Sequence, residues 1–154
     1  MKKGLLISII ALLITIFIFI YTLEKYNNKK SFKKPEFDTN AITGIPTVDD
    51  SLDYKELDAE GLYSVALCGS PTIKNNELKI YLTSKNANNV YLKARIFKSD
   101  KFVGESGLIK PGEYVENINV KNVQSHDNIT IKIMGYEIDT YYSAGAINVD
   151  LKVR

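Results

Sequence analysis

The chain has one cysteine, Cys68, and one histidine, His126, and any nucleophilic chemistry would have to be built from this pair. A thiol attacks well only as a thiolate, which needs a base or a cationic neighbour beside it. Cys68 ends the apolar run Leu62–Cys68 (LYSVALC), whose alternation reads as a strand with the thiol buried on one face. His126 lies in QSHDN, a polar turn, next to Asp127, and reads as an exposed loop histidine rather than a base. A single cysteine excludes an intrachain disulfide and any multi-cysteine zinc site. The acidic triplet Asp49, Asp50 and Asp53 lacks the glycine and the distal glutamate of a calcium loop, and suits the first turn of a helix better. There is no glycine-rich phosphate loop, no GxSxG and no HExxH. The inventory predicts no catalytic residues, no metal and no cofactor, so the expected class is a non-catalytic binding or scaffold module. The alternative is a small-ligand receptor or an enzyme whose site follows no known pattern.

Binding chemistry is better represented. Tyr141 and Tyr142 stand together in EIDTYYSAG, a turn between two alternating segments. Paired tyrosines at a hairpin tip offer large, rigid contact area at low entropic cost, so they are the candidate protein-binding residues. The competing role is packing of one ring over the edge of the fold. Asn128-Ile129-Thr130 matches a glycosylation sequon, as Asn- and Thr-rich strands often do by chance. The formal net charge of +2 conceals a division. Seven lysines flank the N-terminal apolar run, whereas from Pro35 onward 13 Lys and Arg face 17 Asp and Glu, a net of −4. A mildly acidic domain argues against a nucleic-acid partner, which needs a basic stripe on the folded surface.

The elements that carry these residues follow from hydropathy. Gly4–Leu23 contains no charge and no proline. As a helix it would extend about 30 Å, the thickness of a bilayer core. Ser8, Thr15 and Thr22 can bond back to the preceding turn, and Tyr21 would sit at the interface. The run is long for a cleaved signal and no small-x-small site follows, so residues 1–24 are expected to be an uncleaved transmembrane signal-anchor. Lys25–Lys34 (KYNNKKSFKK) would lie against anionic membrane lipid. Its five lysines outweigh Lys2 and Lys3, so the positive-inside rule leans toward a cytoplasmic domain. The basic start before a long apolar run has the form of an anchor that delivers its cargo outside, and an extracytoplasmic domain is the reading adopted.

Residues 25–46 are expected to be juxtamembrane segment and linker, with Pro35, Gly44 and Pro46 breaking structure. Residues 47–61 predict a short acidic helix near Ser51–Glu60, closed by Gly61. From Leu62 the period becomes two. Strands are expected at Leu62–Cys68, Glu77–Ser84, Val90–Lys98, Phe102–Ser106, Tyr114–Val120, Asn128–Gly135 and Ala144–Val153, with a tight turn at Asp100-Lys101. About seven short strands separated by Asn, Gly, Pro and Asp predict a mainly β chain, an Ig-like antiparallel β-sandwich over 62–154. The paired cysteines and buried tryptophan of antibody domains are missing.

The runs GLYSVALCGSP, NNVYLKARIF and GESGLIKPGEYVENINV resemble a family of small, poorly characterised membrane-anchored proteins of Gram-positive bacteria, often carried on mobile elements. The linker match is Thr43-Gly44-Ile45-Pro46, and the turn match is Ser106-Gly107-Leu108-Ile109-Lys110-Pro111-Gly112. The resemblance runs from Thr43 to the C-terminus and implies an N-terminal membrane helix, a short acidic helix and an all-β domain at the cell surface. It departs in the last hairpin, where Tyr136-Glu137 and Asp139 replace the family's Tyr-Asp element. No activity comes with the family, so no catalytic residue is carried over. Surface adhesion or a part in secretion or conjugation is implied only by association.

Overall fold

The structure is a computed structural model and describes residues 4, 12–22 and 33–154. Residues 12–22 are helical and exposed. Among the described residues no helix is long and apolar enough to cross a membrane. The rest of the predicted span Gly4–Leu23 and most of Lys25–Lys34 lie outside the described residues. The chain divides into two units, 1–34 and 35–154.

The second unit holds ten strands: β1 (Ile42–Thr43), β2 (Tyr54–Asp58), β3 (Ser64–Cys68), β4 (Thr72–Lys74), β5 (Glu77–Ser84), β6 (Val90–Lys98), β7 (Lys101–Glu105), β8 (Glu113–Asn119), β9 (Asn128–Glu137) and β10 (Ser143–Lys152). They form two antiparallel sheets. One runs β1-β8-β5-β3-β2, with β4 paired to the remaining stretch of β5; the other runs β10-β9-β6-β7. The seven expected strands are all present, with ends moved by a few residues at most. Between the sheets lies one core, in which Val65, Leu67, Leu78, Ile80, Leu82 and Val115 from the first sheet meet Leu92, Ile96, Ile131 and Ile133 from the second. These side chains are fully buried, each contributing on the order of 1.5–3 kcal/mol.

Three strands escape the sequence reading, each for a local reason. β4 is only three residues long and turns into β5 through Asn75-Asn76, both in the left-handed region (φ 53° and 64°). A two-residue hairpin loop needs positive φ at both positions, which Asn tolerates. The turn between β6 and β7 uses the same device one residue earlier than expected, at Ser99-Asp100 (φ 46° and 63°).

β2 overturns the predicted acidic helix at Ser51–Glu60. Only Asp50–Leu52 forms a single helical turn of the 3₁₀ type; Asp53 then reverses direction at φ 52°, and Tyr54–Asp58 pairs with β3 from Tyr54↔Cys68 to Asp58↔Ser64. The charged residues of YKELD are good helix formers, but here they keep an edge strand soluble.

β1 belongs to a stretch expected to be linker, and residues 35–46 are in fact stitched to the domain. Asp38 N–H donates to Leu108 O, Leu108 N–H to Glu36 O, and the Asp38 carboxylate accepts from Gly107 N–H, all at 2.8–2.9 Å. The domain therefore starts near Pro35 rather than at residue 62.

A bulge in β5 between Lys79 and Leu82 interrupts its pairing with β8. Tyr81 sits there at φ 50° on β5, and opposite this irregular pairing Val115 and Ile118, three apart on β8, both reach the core.

Candidate functional site

The candidate catalytic residues do not assemble. Cys68 is fully buried, on the outer face of the six-stranded sheet, in a small cluster with Leu52 and Tyr81 that Val48, Tyr54 and Tyr114 help to close. Burial pushes its thiol up to about 11, with Lys79 opposing weakly and Asp53 adding slightly. Such a thiol is a packing group. His126 is exposed in its turn at φ 72°, where its backbone N–H donates to Val153 O at 2.7 Å. Asp127 is occupied with local structure: Oδ2 accepts from Lys98 Nζ at 2.6 Å and from Gln124 N–H at 2.7 Å. The hydrogen bond from Lys98 is the main reason its carboxyl titrates below the ordinary value of 3.8, followed by the bond from Gln124.

The acidic triplet is similarly committed. Asp49 Oδ1 caps the helical turn by accepting from Ser51 N–H at 2.8 Å, and its carboxyl is lowered first by the Ser51 hydroxyl and then by this N–H. Asp53 lies 3.4 Å from Lys55 Nζ. Among the described residues no group of three or more His, Cys, Asp and Glu side chains is placed to hold a metal ion.

The tyrosine pair has divided roles. Tyr141, at φ 60°, is half-buried with its ring 5.7 Å from that of Tyr91, and Tyr91 in turn meets Phe37 edge-on at 5.0 Å. Tyr142 is 67% exposed. Hydrogen bonds from Tyr141 N–H to Glu137 O and from Glu137 N–H to Tyr142 O close the loop, and Thr140 Oγ1 donates to the Glu137 carboxylate. The rigid loop turns one ring inward and leaves the other in water.

Beside this loop is an open cleft of about 720 Å³, built where two other loops of the same end converge on it. Its lining joins Gly61 and Leu62 of the β2–β3 loop, Asn89 and Val90 at the start of β6, Glu137 to Thr140, and Ala144. The β2–β3 loop is set by Glu60 and Gly61 in the left-handed region (φ 53° and 77°) and by Asp58 Oδ1 accepting from Gly61 N–H at 2.7 Å. Leu62, expected to open a strand, instead lies outside β3 and is 54% exposed, over Gly145 of β10. Ile138 is 37% exposed.

Tyr63, the next residue, goes the other way. Its ring covers Gly135, where a Cβ would come within 2.7 Å of it, and its hydroxyl donates to Ile133 O at 3.0 Å. Asn88 fastens the β5–β6 loop nearby, its side-chain amide accepting from Ser64 N–H and donating to Ser64 O like another strand.

Leu62, Ile138, Glu137 and Asp139 were not singled out as a group by the sequence. The available signal was the Glu60-Gly61 pair, a left-handed turn signature that ends one strand before Leu62 and so exposes it.

A second surface is the outer face of the four-stranded sheet. Arg95 stacks between Phe97 and Phe102, at 5.5 and 5.0 Å, and both Lys93 and Arg95 face Glu105, at 2.8 and 3.4 Å. Comparison with protein-family models, with curated proteins and with solved structures gave no match for this chain.

Proposed function

We propose that the β domain is a non-catalytic binding module, with the loop end that carries Tyr142 as its recognition surface. The observation that carries this reading is the pairing of exposed Leu62 and Ile138 in one cleft, with exposed Tyr142 on the hydrogen-bonded loop whose residues 137–140 line it. Exposed apolar groups on rigid loops are what a partner can bury at small ordering cost. The sequestered Cys68 and the committed Asp127 speak against a catalytic alternative.

The apolar run Gly4–Leu23 supports a single-pass membrane anchor, and the resemblance to anchored Gram-positive proteins supports an Ig-like domain on the outer side. In that position the anchor raises the module's local concentration near other surface components. A role in a surface, secretion or conjugation assembly is the corresponding biological reading.

The test is cross-linking in cells that express the chain natively, comparing the unaltered protein with Tyr142→Ala and Leu62→Ser. Partner recovery should fall with each, while the thermal midpoint of the purified chain stays within about 2–3 °C, as for surface changes worth less than about 0.5 kcal/mol. Undiminished recovery with both variants would end the assignment.

A further inference from the structure

We infer that this cleft receives a basic segment of a partner protein, a Lys or Arg side chain flanked by apolar residues; the inference rests on the binding reading above. The charge at this end of the domain selects the partner. Glu137 and Asp139 line the cleft, and Asp58 and Glu60 stand in the loop beside it, while none of the lining residues is Lys or Arg. Elsewhere on the domain, carboxylates of Asp53, Glu56, Glu105, Glu113, Glu116 and Asp127 are each ion-paired to a Lys or Arg, while among the described residues Asp38, Asp49, Asp50, Glu77, Asp100 and Asp150 are not; what distinguishes this end is that four carboxylates stand together at it. Among the described residues, no such pair forms at Asp58, Glu60, Glu137 or Asp139. The nearest cation in the adjoining loop, Lys85, is held by Glu56 at 2.6 Å.

The cleft thus combines negative charge without local compensation and exposed hydrocarbon from Leu62 and Ile138. That combination matches the two halves of a lysine or arginine side chain, whose aliphatic stem covers apolar surface while its head finds carboxylates. Tyr142, exposed on the loop whose residues 137–140 line the cleft, offers a ring face to a residue that flanks that cation. At about 720 Å³ the volume suits several side-chain-sized groups. Nucleic acid and anionic lipid carry the wrong sign for this surface.

The experiment uses the full chain in neutral-detergent micelles, with empty micelles subtracted, and a fluorescent peptide of alternating lysine and leucine. Controls are the same peptide with glutamate or serine in place of lysine. The lysine peptide should bind, more tightly at about 0.01 M than at about 0.15 M ionic strength. Glu137→Gln combined with Asp139→Asn should weaken it about 3- to 10-fold at low salt and flatten the salt dependence, as expected for two exposed charge contacts. Tyr142→Ala should weaken it at both salts, and equal thermal midpoints confirm that each variant is folded. Equal binding of the glutamate or serine peptide, indifference to the carboxylate substitutions, or preferential binding of anionic vesicles or single-stranded DNA would overturn the inference. If the peptide fails while Tyr142→Ala still reduces partner recovery in cells, the recognition surface stands and only the partner chemistry falls. If neither readout moves, both fall.

Discussion

Cys68 and Asp127 show how a residue's chemistry is decided by what surrounds it. The Cys68 thiol, at about 11, would be ionised to roughly one part in a thousand at pH 8, and the side chain has no exposure. In the native chain it should therefore resist a thiol-directed maleimide for hours and react within minutes once denatured. Rapid labelling of the folded chain would show that the cluster of Leu52 and Tyr81 opens easily. Asp127 titrates below the ordinary carboxylate value because Lys98 and Gln124 N–H hold its charged form. A depressed folded-state value means stability that is present above the unfolded value and is lost as pH falls through the folded one. Asp127→Asn should accordingly lower the thermal midpoint at pH 7. The gap between variant and parent should close as pH drops below the ordinary value of 3.8. A gap that persists unchanged in acid would mean that the charge plays no part. Tyr141→Ala should lower the midpoint too, because its ring packs on Tyr91, whereas Tyr142→Ala should not.

The turn Ser106–Gly112 and the segment before β1 act as one element. Ser106 N–H donates to Ala94 O, and Ser106 Oγ accepts from Ala94 N–H; Leu92 and Ile109 exchange two further backbone bonds. The turn thereby prolongs the edge that β7 forms along β6. Residues 36–38 then lie so close over Gly107 that a Cβ there would come within 2.4 Å of Asp38 N and 2.8 Å of Phe37 C. Backbone atoms cannot rotate away as a side-chain tip can. Gly107→Ala should destabilise the domain by about 1–3 kcal/mol, read as a lowered midpoint in denaturant with an unchanged slope. An unaffected midpoint would mean that residues 36–38 contribute nothing to the fold and behave as the free linker that the sequence suggested. The residues of this turn serve packing.

If Gly4–Leu23 anchors the chain as proposed, the lysine count and the signal-anchor pattern place the domain on opposite sides of the membrane, and labelling decides between them. Lys101 begins β7 next to the tight Ser99-Asp100 turn and is exposed. A cysteine introduced as Lys101→Cys should react with an impermeant maleimide on intact protoplasts, with buried Cys68 as the silent internal control and the reagent quenched before lysis. Reaction only after lysis would place the domain in the cytoplasm and remove cell-surface partners from consideration. The acidic cleft makes the same experiment informative about partners, because its basic ligand has to be found in the compartment the label reports.

The alternation of Leu78, Ile80 and Leu82, of Leu92, Ala94 and Ile96, and of Ile129, Ile131 and Ile133 made the central strands legible. With a period of two, one burial face follows from residue type alone. The unbroken apolarity of Gly4–Leu23 was equally plain, and so was the packing role of Cys68. β2 was not legible, because its helix-forming charged residues are held as a strand only by pairing with β3, the next strand of the chain, and residue type alone does not record that pairing. Nor was the attachment of Glu36–Asp38 to Leu108, which requires two remote backbones to meet. The cleft belongs to the same class: Leu62, Ile138, Glu137 and Asp139 come from two loops more than seventy residues apart. Periodicity records which face of a strand is buried; which loops share an end of the sandwich depends on strand order, and that is settled only when the two sheets pack.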